Sequence, residues 1–254
     1  NSSDARSDNS IYWNDTAPTS SVFTTGSIYD QNETVIFYCF HSVDGYQKIG
    51  SYLGNGSANG PFVYTGFEPA WLMVKRSDAA GNSWAIFDNK RIESDGDQLV
   101  LFANTTSAES GYDIDFTTNG FIIKATTTNI NASGGNYIFL AIAANPDTTA
   151  PTKANSFKTV LYNGTGASQT ITGAGFKPDL AWIKSRSNAT SHEWHDSVRG
   201  EPSRISSNLE QAEATTLNGF VSLASDGFTV DGAGSGGEVN THSRTYVAWL
   251  WKAL

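Results

Sequence analysis

The chain of 254 residues is poor in charge, in histidine and in cysteine. Charged residues make up 16% of it, below the quarter that is usual for globular proteins. The single cysteine, Cys39, excludes an intrachain disulfide and a zinc site built on cysteines. Because Cys39 lies within the apolar run 35–40, we expect it to be a small, buried core residue. The net charge of −9 and the scattered basic residues argue against binding to nucleic acid.

Long apolar segments are missing as well, so insertion into a membrane is not expected. The chain begins at Asn1 without a signal peptide or an initiator Met, which suggests a processed product or a piece of a longer polypeptide. Aromatic residues, by contrast, reach 12%, and glycine is abundant with 24 residues. Low charge combined with many aromatic, hydroxyl and amide groups is typical of β-sandwiches, lectin-like modules and viral fibre proteins.

An internal repeat is the most informative positive feature. Residues 66–75 and 175–184 both contain Gly-Phe-x-Pro followed by an apolar segment that ends in Lys, at an offset of 109 residues. Further landmarks recur at offsets of 104 to 109 residues: the Asp-x-x-Arg elements at 88–91 and 196–199, the Ala-Glu elements at 108–109 and 212–213, the Gly-Phe elements at 120–121 and 227–228, and the apolar segments 137–141 and 246–250. We interpret this register as duplication of one unit.

The repeat divides the chain into four predicted segments. Residues 47–146 form the first β-sandwich repeat and residues 157–254 the second, with a Pro-containing linker at 147–156. Residues 1–46 are predicted to hold the terminal strands of a preceding repeat, at 22–26 and 35–41, or to act as a strand-exchange arm. Such an arm would pair with a sheet edge of either repeat or with a neighbouring chain.

Short apolar runs bounded by Gly, Asn, Asp or Pro predict β-strands throughout. The predicted strands include 70–74, 98–102, 120–124, 137–142, 180–183, 228–230 and 246–251, with hairpin turns at 119–120 and 226–227. Only single helical turns are expected, at 107–110 and 209–214. The predicted fold class is therefore all-β: tandem antiparallel β-sandwiches of jelly-roll or concanavalin type, two homologous units plus the C-terminal strands of a preceding unit.

Several stretches resemble an uncharacterised repeat domain of tail, fibre and other virion proteins of marine and freshwater bacteriophages. They are GPFVYTGFEPAWLMVKR (60–76), FDNKR (87–91), GFKPDLAWIKSRS (175–187), HDSVRG (195–200), SDGFTV (225–230) and TYVAWLWKA (245–253). The resemblance implies a virion structural protein with a role in host-surface adhesion, located on the virion or outside the cell. Its partners would be other virion proteins, further copies of the chain and a host cell-surface glycan.

The sequence predicts no catalytic residue, metal site or cofactor. No Gly-x-Ser-x-Gly nucleophile elbow occurs, and the Gly-rich stretch 232–237 lacks the Lys of a phosphate-binding loop. His192 and His195 lie three positions apart, which places them on opposite faces of a strand and disfavours a shared metal. Two carboxylate pairs, 113/115 and 210/213, have glycosidase-like chemistry, but no pattern ties them to a substrate groove.

The Asp-x-x-Arg element has two open interpretations. In the first, it forms a polar and aromatic sugar-binding surface made of Trp84, Asp88, Arg91, Trp194, Asp196 and Arg199. In the second, which recurrence in both units favours, the Asp and Arg form an ion pair that holds a turn while the Trp fills the core. Two other functions also stay open: an extracellular lectin-like module and a polysaccharide-degrading depolymerase.

Overall fold

The computed structural model describes residues 3–6, 9–29, 34–93, 96–144, 156–215, 219–232 and 238–253. Within these ranges, helix is limited to two single turns, α1 (Ser10–Trp13) and α2 (Thr128–Asn131). They lie elsewhere than the helical turns predicted from the sequence, at 107–110 and 209–214, where the structure has no helix. No helix in the described ranges has the length and apolar character needed to span a membrane.

The first sandwich comprises the strands between residues 47 and 143. They are β1 (Gln47–Leu53), β2 (Phe62–Tyr64), β3 (Pro69–Arg76), β4 (Ala85–Asp88), β5 (Gln98–Phe102), β6 (Ser110–Tyr112), β7 (Ile114–Thr117), β8 (Gly120–Ile123) and β9 (Asn136–Ala143). All pairings are antiparallel and form sheet I, in the order β1-β9-β3-β4-β5-β6, and sheet II, in the order β2-β8-β7.

The second sandwich comprises the strands between residues 157 and 251. They are β10 (Phe157–Asn163), β11 (Gln169–Thr172), β12 (Leu180–Ser185), β13 (Glu193–Asp196), β14 (Phe220–Ala224), β15 (Gly227–Val230) and β16 (Thr245–Trp251). Sheet III has the order β10-β16-β12-β13 and sheet IV the order β11-β15-β14. These orders match those of β1-β9-β3-β4 and β2-β8-β7. The all-β antiparallel prediction is thus confirmed, while descent of both sandwiches from one duplicated unit stays a prediction.

Three apolar cores separate the four sheets. One core lies between sheets I and II, a second lies between sheets III and IV, and a third joins sheet I to sheet III. We call the third core the central interface. The layers therefore follow one another in the order II, I, III, IV.

Strand alternation explains why the apolar runs of the sequence are almost uninterrupted. In β3, Leu72 faces the core next to sheet II while its neighbour Trp71 faces the central interface. In β12, Ala181 and Ile183 face the second core while Trp182 faces the central interface. Successive side chains of a strand point to opposite faces of the sheet. Because both faces are covered here, the side chains on both faces must be apolar.

Polar contacts also connect the two sandwiches. The Arg186 guanidinium lies 2.9 Å from the Glu109 carboxylate, and the backbone N–H of Glu109 donates to the Arg186 carbonyl at 3.0 Å. The Ser207 hydroxyl donates to the Ala103 carbonyl, and His192 Nε2 lies 3.0 Å from the Phe102 carbonyl oxygen. The loops around the central interface are thereby fastened to each other.

The N-terminal segment lacks the strands predicted for it, while its alternative role as a strand-exchange arm stays a prediction. Residues 22–26 and 35–41 adopt no strand, and in the described part of 34–46 the backbone forms a bridge only between Val43 and Gln47. The segment lies over side chains rather than beside a strand edge: Tyr38 contacts Trp194, and Phe40 contacts Trp251. Pairing of backbone groups requires a free strand edge, so a segment that lies over side chains does not form a strand.

The prediction for Cys39 was wrong, because its side chain is exposed. Its neighbour Tyr38 points towards the protein, and in an extended segment the next residue then points away. Most of the predicted linker, residues 147–155, and residues 233–237 of the Gly-rich stretch lie outside the described residues.

Candidate functional site

The first Asp-x-x-Arg element forms a tight turn at the end of β4. Asp88 Oδ1 accepts the backbone N–H groups of Lys90 (3.0 Å) and Arg91 (3.2 Å). Asp88 Oδ2 accepts Arg91 Nε at 2.7 Å, and Arg91 Nη2 donates to the Ile86 carbonyl at 3.2 Å. Short Asp side chains favour this return to nearby backbone N–H groups. One ion pair thus closes the turn onto its own strand.

The second element repeats the same contacts at the end of β13. Asp196 Oδ1 accepts the backbone N–H groups of Val198 (3.1 Å) and Arg199 (2.9 Å), and Oδ2 accepts Arg199 Nε at 2.6 Å. Arg199 Nη2 donates to the Trp194 carbonyl at 3.0 Å. Burial, the largest single influence, raises the pKa of Asp196, but the backbone N–H of Arg199, the Tyr38 hydroxyl and the Arg199 guanidinium together hold that pKa below its usual value.

A second carboxylate, which the sequence analysis did not assign to the site, accompanies each arginine. Glu109 Oε2 lies 3.6 Å from Arg91 Nη1, and Glu213 Oε2 lies 3.6 Å from Arg199 Nη1. The recurring Ala-Glu elements at 108–109 and 212–213 were the available signal. The repeated constellation is therefore Asp, Arg and Glu, two carboxylates around one guanidinium.

Each aspartate also receives a hydrogen bond from an aromatic side chain outside its own sandwich. Trp249 Nε1, on β16, donates to Asp88 Oδ2 at 2.9 Å, and the Arg91 guanidinium lies 5.4 Å from the centroid of the same Trp249 ring. The Tyr38 hydroxyl, in the N-terminal segment, donates to Asp196 Oδ2 at 2.7 Å. Burial and the bond to Asp196 raise the pKa of Tyr38.

The tryptophans of the chain are concentrated at this place. Six of the seven lie in the central interface or pack against it: Trp71, Trp84, Trp182, Trp194, Trp249 and Trp251. Asp88 and Arg91 have no exposed side-chain surface, whereas Arg199 retains 9%. A ligand therefore cannot touch Asp88 or Arg91 unless the interface opens. This geometry corresponds to the ion-pair interpretation of the Asp-x-x-Arg element.

His192 and His195 lie on opposite faces, as the spacing predicted. His192 Nδ1 accepts the indole N–H of Trp182 at 2.8 Å on the side of the central interface, while the His195 ring stacks on Phe220 with centroids 3.8 Å apart. Burial lowers the pKa of both imidazoles to about 3. Both rings are therefore neutral at physiological pH.

Around His195 the second sandwich has a polar interior that the first lacks. In the first sandwich Trp71 of β3 pairs with Asp88 of β4, and in the second Leu180 of β12 pairs with Asp196 of β13. Asp88 and Asp196 are therefore equivalent positions, and β4 can be aligned with β13. In this alignment Ala85 corresponds to Glu193 and Phe87 to His195. The pairing of Ile86 with Leu101 and of Trp194 with Ile205 likewise aligns Val100 with Arg204. Burial raises the pKa of Glu193 to about 7, although Arg204 Nη1 donates to Glu193 Oε1 at 2.7 Å.

The two carboxylate pairs named from the sequence have different surroundings. Asp113 and Asp115 both lie near Lys124, with the shorter ion pair, 2.6 Å, between Lys124 and Asp115. Glu213 binds Arg199 and accepts the Ser203 hydroxyl at 3.0 Å, while Glu210 is exposed. In the described ranges, no cluster of three or more His, Cys, Asp or Glu side chains has a geometry that could hold a metal ion.

An open groove of about 540 Å³ lies on the outer part of sheet I, where β1, β3 and β9 meet the first residues of the chain. Its lining comprises Ala5, Arg6, Ser51, Ser77, Asp78, Asn136, Tyr137 and Ile138. Asp78 holds Arg76 at 2.7 Å and accepts the backbone N–H of Asn136 at 3.0 Å. Hydroxyl, amide and carboxylate groups here surround a space of small-ligand size.

Fold and site together define a class, namely an all-β protein of stacked antiparallel sandwiches. The family follows from the sequence: residues 1–146 and 152–254 match a domain of unknown function, DUF7483, and the chain belongs to that family. The family description assigns no activity to its members. None of the curated proteins, and none of the solved structures, matches the chain.

Proposed function

We propose that the chain is a structural protein of a virion, of the tail, fibre or capsid-decoration type, with a role in adhesion to the host surface. The observation that carries the proposal is that the recurring Asp and Arg side chains bind other parts of the protein. Asp88 and Arg91 are fully buried and bind the Trp249 side chain of the other sandwich. The first of the two recurring elements therefore holds the sandwiches together instead of facing a substrate.

The central interface supports the same proposal. It joins two sandwiches face to face through large aromatic side chains, and aromatic side chains contribute much of the free energy of protein interfaces. Sandwiches joined in this way form a rigid spacer, which suits a stalk or a surface layer. The resemblance of the sequence to a repeat domain of phage virion proteins agrees with such a role.

Assembly with further copies or with other virion proteins is part of the proposal. In the described part of the first 40 residues, eight large apolar side chains are exposed: Ile11, Tyr12, Trp13, Val22, Phe23, Ile28, Val35 and Phe40. A concentration of exposed apolar side chains in one segment is characteristic of an interaction surface. Virion proteins commonly assemble around symmetry axes, so a homo-oligomer is expected.

Location on particles tests the proposal directly. We expect mass spectrometry of purified virions from the source of this sequence to detect the chain in constant proportion to a capsid protein. Gold-labelled antibodies should mark one defined part of the particle. Absence from purified particles, with the chain found only in the medium or in the cells, would refute the virion assignment.

A lectin-like module is the second candidate, and the groove beside Asp78 is the observation that favours it. Polar side chains around an open groove match the hydroxyl groups of a sugar. A glycan array with the parent protein and with Asp78→Ala tests this candidate. Binding that is lost in Asp78→Ala and kept in Asp179→Ala, a carboxylate elsewhere on the surface, would establish it. Shortening of host polysaccharide by the parent protein would instead indicate a depolymerase.

A further inference from the structure

The interior of the second sandwich contains titratable groups where the first has apolar side chains. The three differences are Ala85 against Glu193, Phe87 against His195 and Val100 against Arg204. Burying such groups costs free energy unless each is paired or neutral. Departures from an apolar core are therefore positions at which a specific role is to be sought.

The hydrogen-bonding partners determine which nitrogen of His195 carries the proton. His195 Nδ1 lies 3.2 Å from the carbonyl oxygen of Ser203, which can only accept. A neutral imidazole bonded in this way has its proton on Nδ1 and a lone pair on Nε2. No described residue offers a hydrogen bond to Nε2.

The Glu193 carboxyl group faces that lone pair. Glu193 Oε1 is bonded to Arg204, but Oε2 has no hydrogen-bond partner among the described residues and lies 4.0 Å from His195 Nε2. The side chains of Glu193 and His195 are 1% and 4% exposed. With the carboxyl group ionised, two buried acceptors would face each other. A proton on Oε2 turns the pair into a donor and an acceptor, and an approach of about 1 Å completes a hydrogen bond.

We propose that Glu193 and His195 form a buried proton-binding site, in which a proton on Glu193 Oε2 is donated to His195 Nε2, and that this site links the stability of the second sandwich to pH. Four other charged groups act on the pair. Arg204 favours the ionised carboxylate and Glu238 opposes it, while Arg199 and Arg204 disfavour a charged imidazole and Asp196 favours it.

The linkage has a defined sign. Burial raises the pKa of Glu193 from 4.5 to about 7 and lowers that of His195 from 6.5 to about 3. Between pH 4.5 and 6.5 the folded pair holds one proton on Glu193 and the unfolded pair holds one on His195, so their contributions cancel. Stability falls as pH rises from about 6.5 to 7, where the unfolded pair has lost its proton and the folded pair still holds one. It also falls as pH drops below about 4.5, where the unfolded pair binds two protons and the folded pair one.

Single substitutions separate the contribution of Glu193 to the pH dependence of stability from that of His195. Urea unfolding between pH 4.5 and 6.5 measures the stability of each variant relative to the parent protein. His195→Phe introduces the residue of the first sandwich and leaves Glu193 alone, so the folding equilibrium constant should fall about tenfold per pH unit as pH rises. Glu193→Gln leaves His195 alone, so the constant should rise by about the same factor per unit.

The matched control carries Glu193→Ala, His195→Phe and Arg204→Val together, which recreates the interior of the first sandwich. It should parallel the parent between pH 4.5 and 6.5 and lack the parent's fall above pH 6.5. Single variants whose stability curves run parallel to that of the parent would refute the proposal.

Nitrogen-15 NMR of the parent protein provides a test that needs no variant. We expect His195 to stay in the neutral form protonated on Nδ1 from pH 8 down to pH 4, with the exposed His41 and His242 as internal reference signals. A doubly protonated His195 at pH 5, or a neutral form protonated on Nε2, would overturn the proposal.

Discussion

The two sandwiches use one strand order and one kind of ionic turn, yet they differ in what surrounds that turn. In the first, the Asp88–Arg91 pair is fully buried and bound by Trp249 from β16. In the second, the Asp196–Arg199 pair lies nearer the surface and is bound by Tyr38 from the N-terminal segment. The same local motif is therefore compatible with two degrees of burial, provided that an aromatic N–H or O–H group reaches the carboxylate.

The difference shows how one motif can serve an interface. A buried ion pair is costly unless its remaining lone pairs are satisfied, and each aspartate here accepts four hydrogen bonds. The last of these bonds comes from outside the sandwich that contains the pair. Formation of the motif and docking of the neighbouring segment are thus energetically coupled.

The largest effect is expected from Asp88→Ala. The substitution leaves the buried Arg91 charge without its 2.7 Å partner and the Trp249 indole N–H without an acceptor, which should cost about 3 to 5 kcal/mol. Asp196→Ala should cost about 1 to 3 kcal/mol less, because Arg199 can reach water. Urea unfolding of both variants measures the difference, and an equal or larger loss in Asp196→Ala would contradict this comparison.

A smaller effect is expected from Tyr38→Phe. The variant keeps the ring against Trp194 at 4.7 Å but removes the hydrogen bond to Asp196, a bond to a charged group, so stability should fall by about 1.5 to 3 kcal/mol. Tyr64→Phe, at an exposed tyrosine of β2, is the matched control and should change stability by less than about 0.5 kcal/mol. If both variants unfold at the same urea concentration, the Tyr38–Asp196 hydrogen bond does not stabilise the second turn.

The smallest effects are expected where the two sandwiches are alike. Tyr52 stacks on Tyr137 with centroids 4.9 Å apart, and Tyr162 stacks on Tyr246 at 5.0 Å. The Tyr52 hydroxyl donates to the Ile130 carbonyl at 2.7 Å and the Tyr162 hydroxyl to the Val239 carbonyl at 2.6 Å, and burial raises both pKa values.

Tyr52→Phe and Tyr162→Phe should therefore cost about the same, roughly 0.5 to 1.5 kcal/mol each. Thermal unfolding followed by circular dichroism compares the two variants under identical conditions. A difference of more than about 1 kcal/mol between them would show that the tyrosine hydroxyl bond contributes unequally to the stability of the two sandwiches.

Much of the strand content could be predicted because short apolar runs bounded by turn residues report local conformation. The prediction for 98–102 coincides with β5, and those for 137–142 and 246–251 lie within β9 and β16. Both hairpins form, with Thr117 paired to Gly120 and Ala224 to Gly227. Residues 22–26 and 35–41 have the same apolar character but form no strand, because a strand also needs a partner edge.

The candidate site was predictable only in part. The sequence identified the recurring Asp and Arg, but Glu109 and Glu213 lie too far along the chain for spacing to connect them with the arginines. The Trp249 and Tyr38 donors are farther still, separated by 161 and 158 positions from the aspartates that they bind. Long-range contacts of this kind depend on how the sheets pack, which local patterns do not report.

By itself, the amino-acid sequence determined the period of the apolar pattern, the positions of several strands and the recurrence of the Asp-x-x-Arg elements that form the local turns at Asp88 and Asp196. These are short-range consequences of side-chain alternation and hydrogen-bonding geometry. Only the tertiary structure decided that most tryptophans meet at one interface, that Tyr38 is partly buried while Cys39 is exposed, and that Glu193 faces His195. Burial and pairing depend on which surfaces come together, and that is a property of the packed sheets rather than of any one strand.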